Sequence, residues 1–301
     1  MTHRNHVIPM EIAPGHSTYL MKFVANGPFF IPVTLFSRAA HQKRDYDEQL
    51  SFGAYLGVVL AILGYNLFIF ISTREWAYLF YFCHTATFGF VLFGLHGFGA
   101  QYLWPESPLW NVRSVLFLCF LSVFWALWFS SSFNQVSRSH RFLWKSYVYW
   151  SPLAWVLAVA SLLRDDAWMW ILAEVYLFCS YLLIYGTGLW SLFRGKRQAR
   201  FFVMGWSVFL VFLVLEAFMV ADIVSFENYS YQYLWFASLT ELIVLSLALA
   251  DRFNILKTEN QQAQREILDQ RKRIARDLHD SIGSEISSVI VGLQRVPEPI
   301  T

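Results

Sequence analysis

From Phe52 onward, long apolar runs alternate with short polar connections, and the runs approach or exceed the length of about 20 helical residues that a hydrocarbon core requires. Seven are recognisable: Phe52 to Ser72, Trp76 to His96, Asn111 to Phe133, Tyr147 to Leu163, Ala167 to Trp190, Arg200 to Ala221 and Tyr231 to Ala250. The fourth is the shortest and contains Pro152, which neighbouring helices accommodate by satisfying the freed backbone group. Residues 1–50 follow a different pattern. Thr18 to Val24 and Phe29 to Phe36 are rich in β-formers and flank Asn26-Gly27-Pro28, a combination that favours a turn. Two strands alone are marginal in water, so they read as the tail of a β domain whose remainder lies outside this chain.

After Ala250 the chain turns polar, yet neither Gly nor Pro interrupts it before Gly283. One helix is therefore predicted to run straight out of the seventh span. Within it Phe253, Leu256, Ala263, Ile267 and Ile274 fit one a/d seam, broken by Asn260 at an a position and Gln270 at a d position. Such a seam predicts a parallel two-stranded coiled coil, with the polar a-site residue setting register. The competing arrangement is a single amphipathic helix lying on the membrane surface. The expected fold class is thus an all-α membrane protein: a seven-transmembrane helix bundle with a C-terminal cytoplasmic coiled coil and a short N-terminal β remnant of an extracytoplasmic domain. Its segments divide at 1–50, 51–252, 253–272 and 273–301.

Composition agrees with lipid as the main solvent, because 56% of residues are apolar and only 15% are charged. A net charge of +2, with basic residues spread between spans, implies no nucleic-acid partner. Cys83, Cys119 and Cys179 lie inside apolar runs and imply neither a disulfide framework nor a metal site. Met1 to Met10 does not read as a signal peptide. Basic residues do set orientation. Arg74, then Arg138, Arg141 and Lys145, then Arg194, Lys196, Arg197 and Arg200 follow spans one, three and five, whereas Arg113 and Arg164 alone serve the other connections. The richer set should face the cytoplasm, placing the N-terminus outside and the C-terminus inside. Arg4, Lys22, Arg38, Lys43 and Arg44 run against that assignment, but a translocated domain is largely exempt from the charge rule.

Candidate chemistry falls in two places. Leu278, Ile282, Ile286, Val289 and Leu293 form an apolar stripe at helical spacing, with His279 at its edge and Asp280 further toward solvent. An imidazole so placed is held on a rigid helix and is a competent nucleophile near neutral pH, while an adjacent carboxylate fixes its tautomer and accepts its proton. Inside the spans stand Glu174, Glu216, Glu241 and His84, and ionisable groups at that depth point to function. One reading is a polar cavity open to the outside that binds a ligand or a proton. The other is interhelical hydrogen bonding by protonated carboxyls.

The segment Arg273 to Gly283 resembles the phosphoacceptor box of the histidine kinases related to nitrate and lipid-fluidity sensors. That resemblance implies that His279 is phosphorylated by ATP and that Asp280 is its general base. Many such kinases carry Gln or His five residues later, where this chain has Ser284, which puts response-regulator phosphatase activity in doubt. A second resemblance covers the spans. Gly53 to Gly57, Gly64 to Phe68, Arg74-Glu75, Gln101 to Pro105 and Glu241 to Arg252 resemble the bacterial seven-transmembrane receptors with diverse intracellular signalling modules. Members often carry an extracytoplasmic carbohydrate-binding-like β-sandwich ahead of the first span, and Ala13-Pro14-Gly15 through Phe36 are similar to its end.

No Asp-x-Gly-x-Gly or P-loop sequence occurs. ATP and Mg are accordingly expected in a missing or separate ATPase domain, this chain alone should be inactive, and it holds no cofactor itself. The expected partners are a second copy through the cytoplasmic helix, a response regulator and membrane lipid. The main functional expectation is a membrane sensor of a two-component system. A seven-span transporter or channel is the alternative, disfavoured by the lack of an internal repeat. A stand-alone membrane enzyme lacks any supporting motif.

Overall fold

The computed structural model describes residues 4, 7–10, 15–16, 18–22, 33–136, 140–164, 166–220 and 232–294. Among them are seven helices: α1 (Arg38–Thr73), α2 (Trp76–Leu95), α3 (Pro108–Phe133), α4 (Arg141–Leu163), α5 (Ala167–Phe193), α6 (Ala199–Val220) and α7 (Gln232–Gln294), with a π-helical turn at Gly99–Leu103. One helix stands at each of the seven expected spans. Six are long and apolar enough to cross a membrane, and the described apolar stretch of α6, Ala199–Leu215, is shorter than the 22-residue helix that holds it. The chain divides into two units, Met1–Leu249 and Ala250–Thr301, and α7 contributes to both.

The helix ends follow local chemistry. Ser37 caps α1 by accepting from the Ala40 amide at 3.2 Å, and Arg74 closes it in a left-handed conformation, its N–H donating to Phe70. Asp166 caps α5 by accepting from Met169 at 3.2 Å. The far end of α5 closes at Gly195, whose φ of 77° suits a residue without Cβ and directs Lys196 N–H to Ser191 O. Helix α4 continues through Pro152, and Tyr176 of α5 donates to Trp150 O nearby at 3.0 Å.

Two sequence expectations need correction. The first helix begins at Arg38, well ahead of Phe52, because Ser37 supplies a cap and the polar turns that follow carry their own ion pairs, Arg44 to Glu48 at 2.8 Å and Arg4 to Asp45 at 2.6 Å. The β remnant is not formed where it is described: residues 18–22 and 33–36 adopt neither strand nor bridge, and residues 23–32 lie outside the described set. A strand needs a partner edge, and the described residues supply none.

Within the first unit, α2 packs on α3, α3 on α4 and α5, α1 on α2, and α5 on α6. The packing is that of a membrane bundle, with apolar side chains such as Phe68 and Val156 on the outside and hydroxyls between helices. Ser130 and Tyr147 hydrogen-bond at 2.8 Å and Tyr147 donates to Thr187 at 3.0 Å, tying α3, α4 and α5 together. The start of α7 is tied to α1 by Tyr55 and Ser238 at 3.0 Å, and to α2 by Tyr81 and Tyr78, which donate to Leu242 O and Leu249 O. Gly188 lets α5 approach α6 closely, since a Cβ there would lie 2.7 Å from the Phe202 ring.

Candidate functional site

In the second unit, α7 runs on through Gly283 to Gln294 because no proline breaks it and the Lys, Arg, Glu and Gln residues from Arg252 onward are good helix formers. His279 lies on this helix and is exposed. Successive residues are turned about 100° apart, so His279 stands next to the apolar row and Asp280 follows it on the same turn. The Asp280 and Ser284 side chains lie outside the described residues. Around His279 the apolar residues face outward in the single chain: Leu278, Ile282 and Ile286 are exposed, as are Ile267 and Ile274 of the a/d seam. Chemically the helix presents a nucleophilic imidazole on a rigid rod that has an unfilled apolar side.

In the first unit the bundle brings two of the four intramembrane candidates together. His84, midway along α2, and Glu241, on the first part of α7, stand with Nε2 and Oε1 3.5 Å apart, and their side chains are 3% and 2% exposed. On the other side of the ring, Nδ1 lies 3.1 Å from Ser122 O and 3.0 Å from Ser122 Oγ, both from α3. The ring packs against Phe88 and Trp206. Glu174 is not part of this group; it sits on an exposed face of α5. The Glu216 side chain lies outside the described residues.

A third cluster was missed by sequence reasoning. The Arg4 guanidinium is buried, bonded to Asp45 at 2.6 Å and Glu48 at 3.0 Å, and lies 4.9 Å from the Phe98 ring centre. It anchors residues ahead of the bundle to α1 and to the α2–α3 connection. Beside it His96 stays neutral, its pKa pushed down to about 4, first by burial and then by the Arg4 charge, with Glu48 opposing. The only available signal was a lone arginine opposite Asp45 and Glu48, with nothing to place it against them.

Together these features define a class: a helical membrane bundle whose last span continues into a helix bearing an exposed histidine. Residues 48–252 match the family described as 7TM diverse intracellular signalling. The chain belongs to that family. Residues 270–300 match the histidine kinase family. A curated relative, "Sensor histidine kinase YxjM" of Bacillus subtilis (strain 168), is 64% identical over 31 residues, which is 10% of this chain and 8% of the relative. The chain thus spans less than a tenth of that relative's length. No solved structure matches the chain.

Some of the residues behind the membrane resemblance pack in the bundle, while others, such as Phe68 and Leu247, face outward. Tyr55, Asn66, Glu241, Leu245 and Leu249 are buried, and Asn66 donates to Ile62 O at 2.8 Å. In the segment Gln101 to Pro105, Trp104 donates from Nε1 to Asn111 at 3.1 Å and closes the π-helical turn against Gly99.

Proposed function

We propose that this chain is the sensing and phosphoacceptor part of a two-component sensor histidine kinase, in which a stimulus outside or within the membrane alters the seven-helix bundle and α7 carries the change to His279. The observation that carries the reading is the single helix Gln232–Gln294, which begins in the receptor-family segment and ends in the histidine-kinase match. In this reading His279 attacks the γ-phosphorus of ATP through a ring nitrogen, the bond to the β-phosphate oxygen breaks, ADP leaves, and Asp280 accepts the imidazole proton. In this reading ATP and Mg are held by the catalytic domain of the kinase. The phosphoryl group then passes to an aspartate of a response regulator.

The membrane is the bacterial inner membrane, with the N-terminus outside and the C-terminus in the cytoplasm. Two copies pair in parallel through residues 253–293, which covers the exposed row from Ile267 to Ile286. The intramembrane residues His84 and Glu241, with Glu174 and Glu216 in adjoining spans, are the candidates for receiving the stimulus. Nothing in the fold or the comparisons favours the transporter or channel alternative. Incubating this chain with radiolabelled ATP and a related catalytic domain tests the reading. Label should appear on the wild type, be lost in His279→Gln, and accumulate about 10²-fold or more slowly in Asp280→Asn, the usual scale for removing a general base.

A further inference from the structure

The two ends of the bundle treat their basic residues differently. At the end where α1 starts and α4 meets α5, Arg4 pairs with Asp45 and Glu48, Arg44 with Glu48, and Arg164 with Asp166. At the other end, Arg141 and Lys145 at the start of α4 and Arg194, Arg197 and Arg200 around the α5–α6 connection are exposed, and none of them pairs with a carboxylate among the described residues. Neither the stretch from Ser107 to Arg164 nor that from Val175 to Leu215 contains an acidic residue. The helices that carry these cations therefore offer them no counter-charge at this end.

Contacts draw the two basic segments together. The Trp190 ring, near the end of α5, lies 5.5 Å from the His140 ring, 4.9 Å from the Arg194 guanidinium carbon and 6.0 Å from the Lys196 amine. His140 accepts from the Leu143 amide and so caps the start of α4 beside that tryptophan. Lys196 donates from Nζ to Asn134 O at 2.5 Å and Gln198 from Nε2 to Phe133 O at 3.3 Å, which tie the α5–α6 connection to the end of α3. The start of α4 and the α5–α6 connection thus meet across one indole, a residue type that favours the boundary between hydrocarbon and headgroups.

The surroundings of the charges say what kind of anion fits. Phe142, next to Arg141, is 72% exposed, and Phe193, next to Arg194, is 86% exposed. Lys145 stands between Phe142 and Tyr149 in the exposed row of α4 that continues to Val156. That row is the lipid-facing side of the helix. An anion that reaches Lys145 along it carries hydrocarbon, which a phospholipid does and inorganic phosphate or an acidic peptide does not. Unpaired guanidinium groups also match a phosphodiester, whose two free oxygens accept from one planar fork.

We propose that the start of α4 and the α5–α6 connection form a binding surface for an anionic phospholipid. Its phosphodiester lies among Arg141, Arg194 and Arg197 with Lys145 at the edge, and its acyl chains run past Phe142 and Phe193. The lipid then bridges α4 to the α5–α6 connection and supplies the negative charge that these helices lack. The assignment is independent of what α7 carries to His279.

The test uses the full chain, purified in a non-ionic detergent with equal amounts of phosphatidylglycerol and phosphatidylcholine of matched acyl chains. Native mass spectrometry reads the ratio of the two lipids retained. Wild type should retain phosphatidylglycerol in excess. Arg194→Gln should lower the ratio about fivefold, the scale for one basic residue at a membrane surface, and Arg141→Gln, Arg194→Gln and Arg197→Gln together about 10²-fold. Arg194→Lys, which keeps the charge and loses the fork, should fall between wild type and Arg194→Gln. Arg164→Gln, at the opposite end, should leave the ratio unchanged, and excess inorganic phosphate should displace no lipid. Equal retention of the two lipids by wild type overturns the proposal, as does an undiminished ratio in Arg194→Gln. Displacement by inorganic phosphate overturns lipid as the occupant. If circular dichroism shows the triple variant unfolded, Arg194→Gln alone, at an exposed position, decides the outcome.

Discussion

Replacing Ile274 with Ala tests whether the cytoplasmic helix is half of a dimer. Ile274 occupies an a position and is 66% exposed in the single chain, so nearly two-thirds of its surface is there for a partner to cover. The substitution removes three carbons, about 2.4 kcal/mol at ~0.8 kcal/mol per buried methylene. Scaled by the share the partner covers, the loss is about 1.6 kcal/mol per chain and about 3 kcal/mol per dimer. At 1.4 kcal/mol per tenfold, the dimer should dissociate roughly 200-fold more readily. The assay is disulfide crosslinking at Ile267→Cys in membranes, with the protein-to-lipid ratio lowered until the parent is half crosslinked. At that ratio the Ile274→Ala chain should crosslink only weakly, while Lys272→Ala, off the seam, should match the parent. Equal crosslinking by Ile274→Ala and the parent would refute the seam and favour a helix lying alone on the membrane.

Two further outcomes concern the bundle. His96 has a folded pKa of about 4 against an ordinary value of 6.5, so between those values the unfolded chain binds the extra proton. Stability should therefore be fully present above about pH 6.5, fall as the pH drops through that window and level off below about pH 4. His96→Phe should flatten that portion of a thermal-midpoint profile, and an unchanged slope would refute the assignment. Gly188→Ala places a Cβ 2.7 Å from Phe202 and should cost about 1–3 kcal/mol, read as a lowered midpoint, whereas Gly186→Ala meets nothing within 4 Å and serves as the control.

The positions of the helices were legible because lipid imposes a length and a composition on each span. The long α7 was legible from the absence of Gly and Pro between Ala250 and Gly283. The start of α1 was not, because Arg38 to Leu50 is too polar for a span and its helicity depends on Ser37 and on ion pairs that only the folded chain assembles. Of the β-formers between Thr18 and Phe36, residues 18–22 and 33–36 form no strand, for the opposite reason: propensity describes what fits a sheet, and the described residues contain no sheet. At the candidate sites, His279 could be found because its neighbours in sequence carry the pattern. His84 and Glu241 could each be flagged as ionisable groups in a span. Their pairing could not be found, since it depends on which faces of α2 and α7 meet, and Glu174 on an exposed face of α5 looked equivalent.

The central claim is that phosphate enters this protein at His279. The most direct measurement is tandem mass spectrometry, under conditions that preserve phosphoramidates, of the full chain after incubation with ATP, Mg and a related catalytic domain. Phosphate localised to His279, acid-labile and absent from His279→Gln, is the predicted result. Phosphate on another residue, or label retained in His279→Gln, would contradict the account.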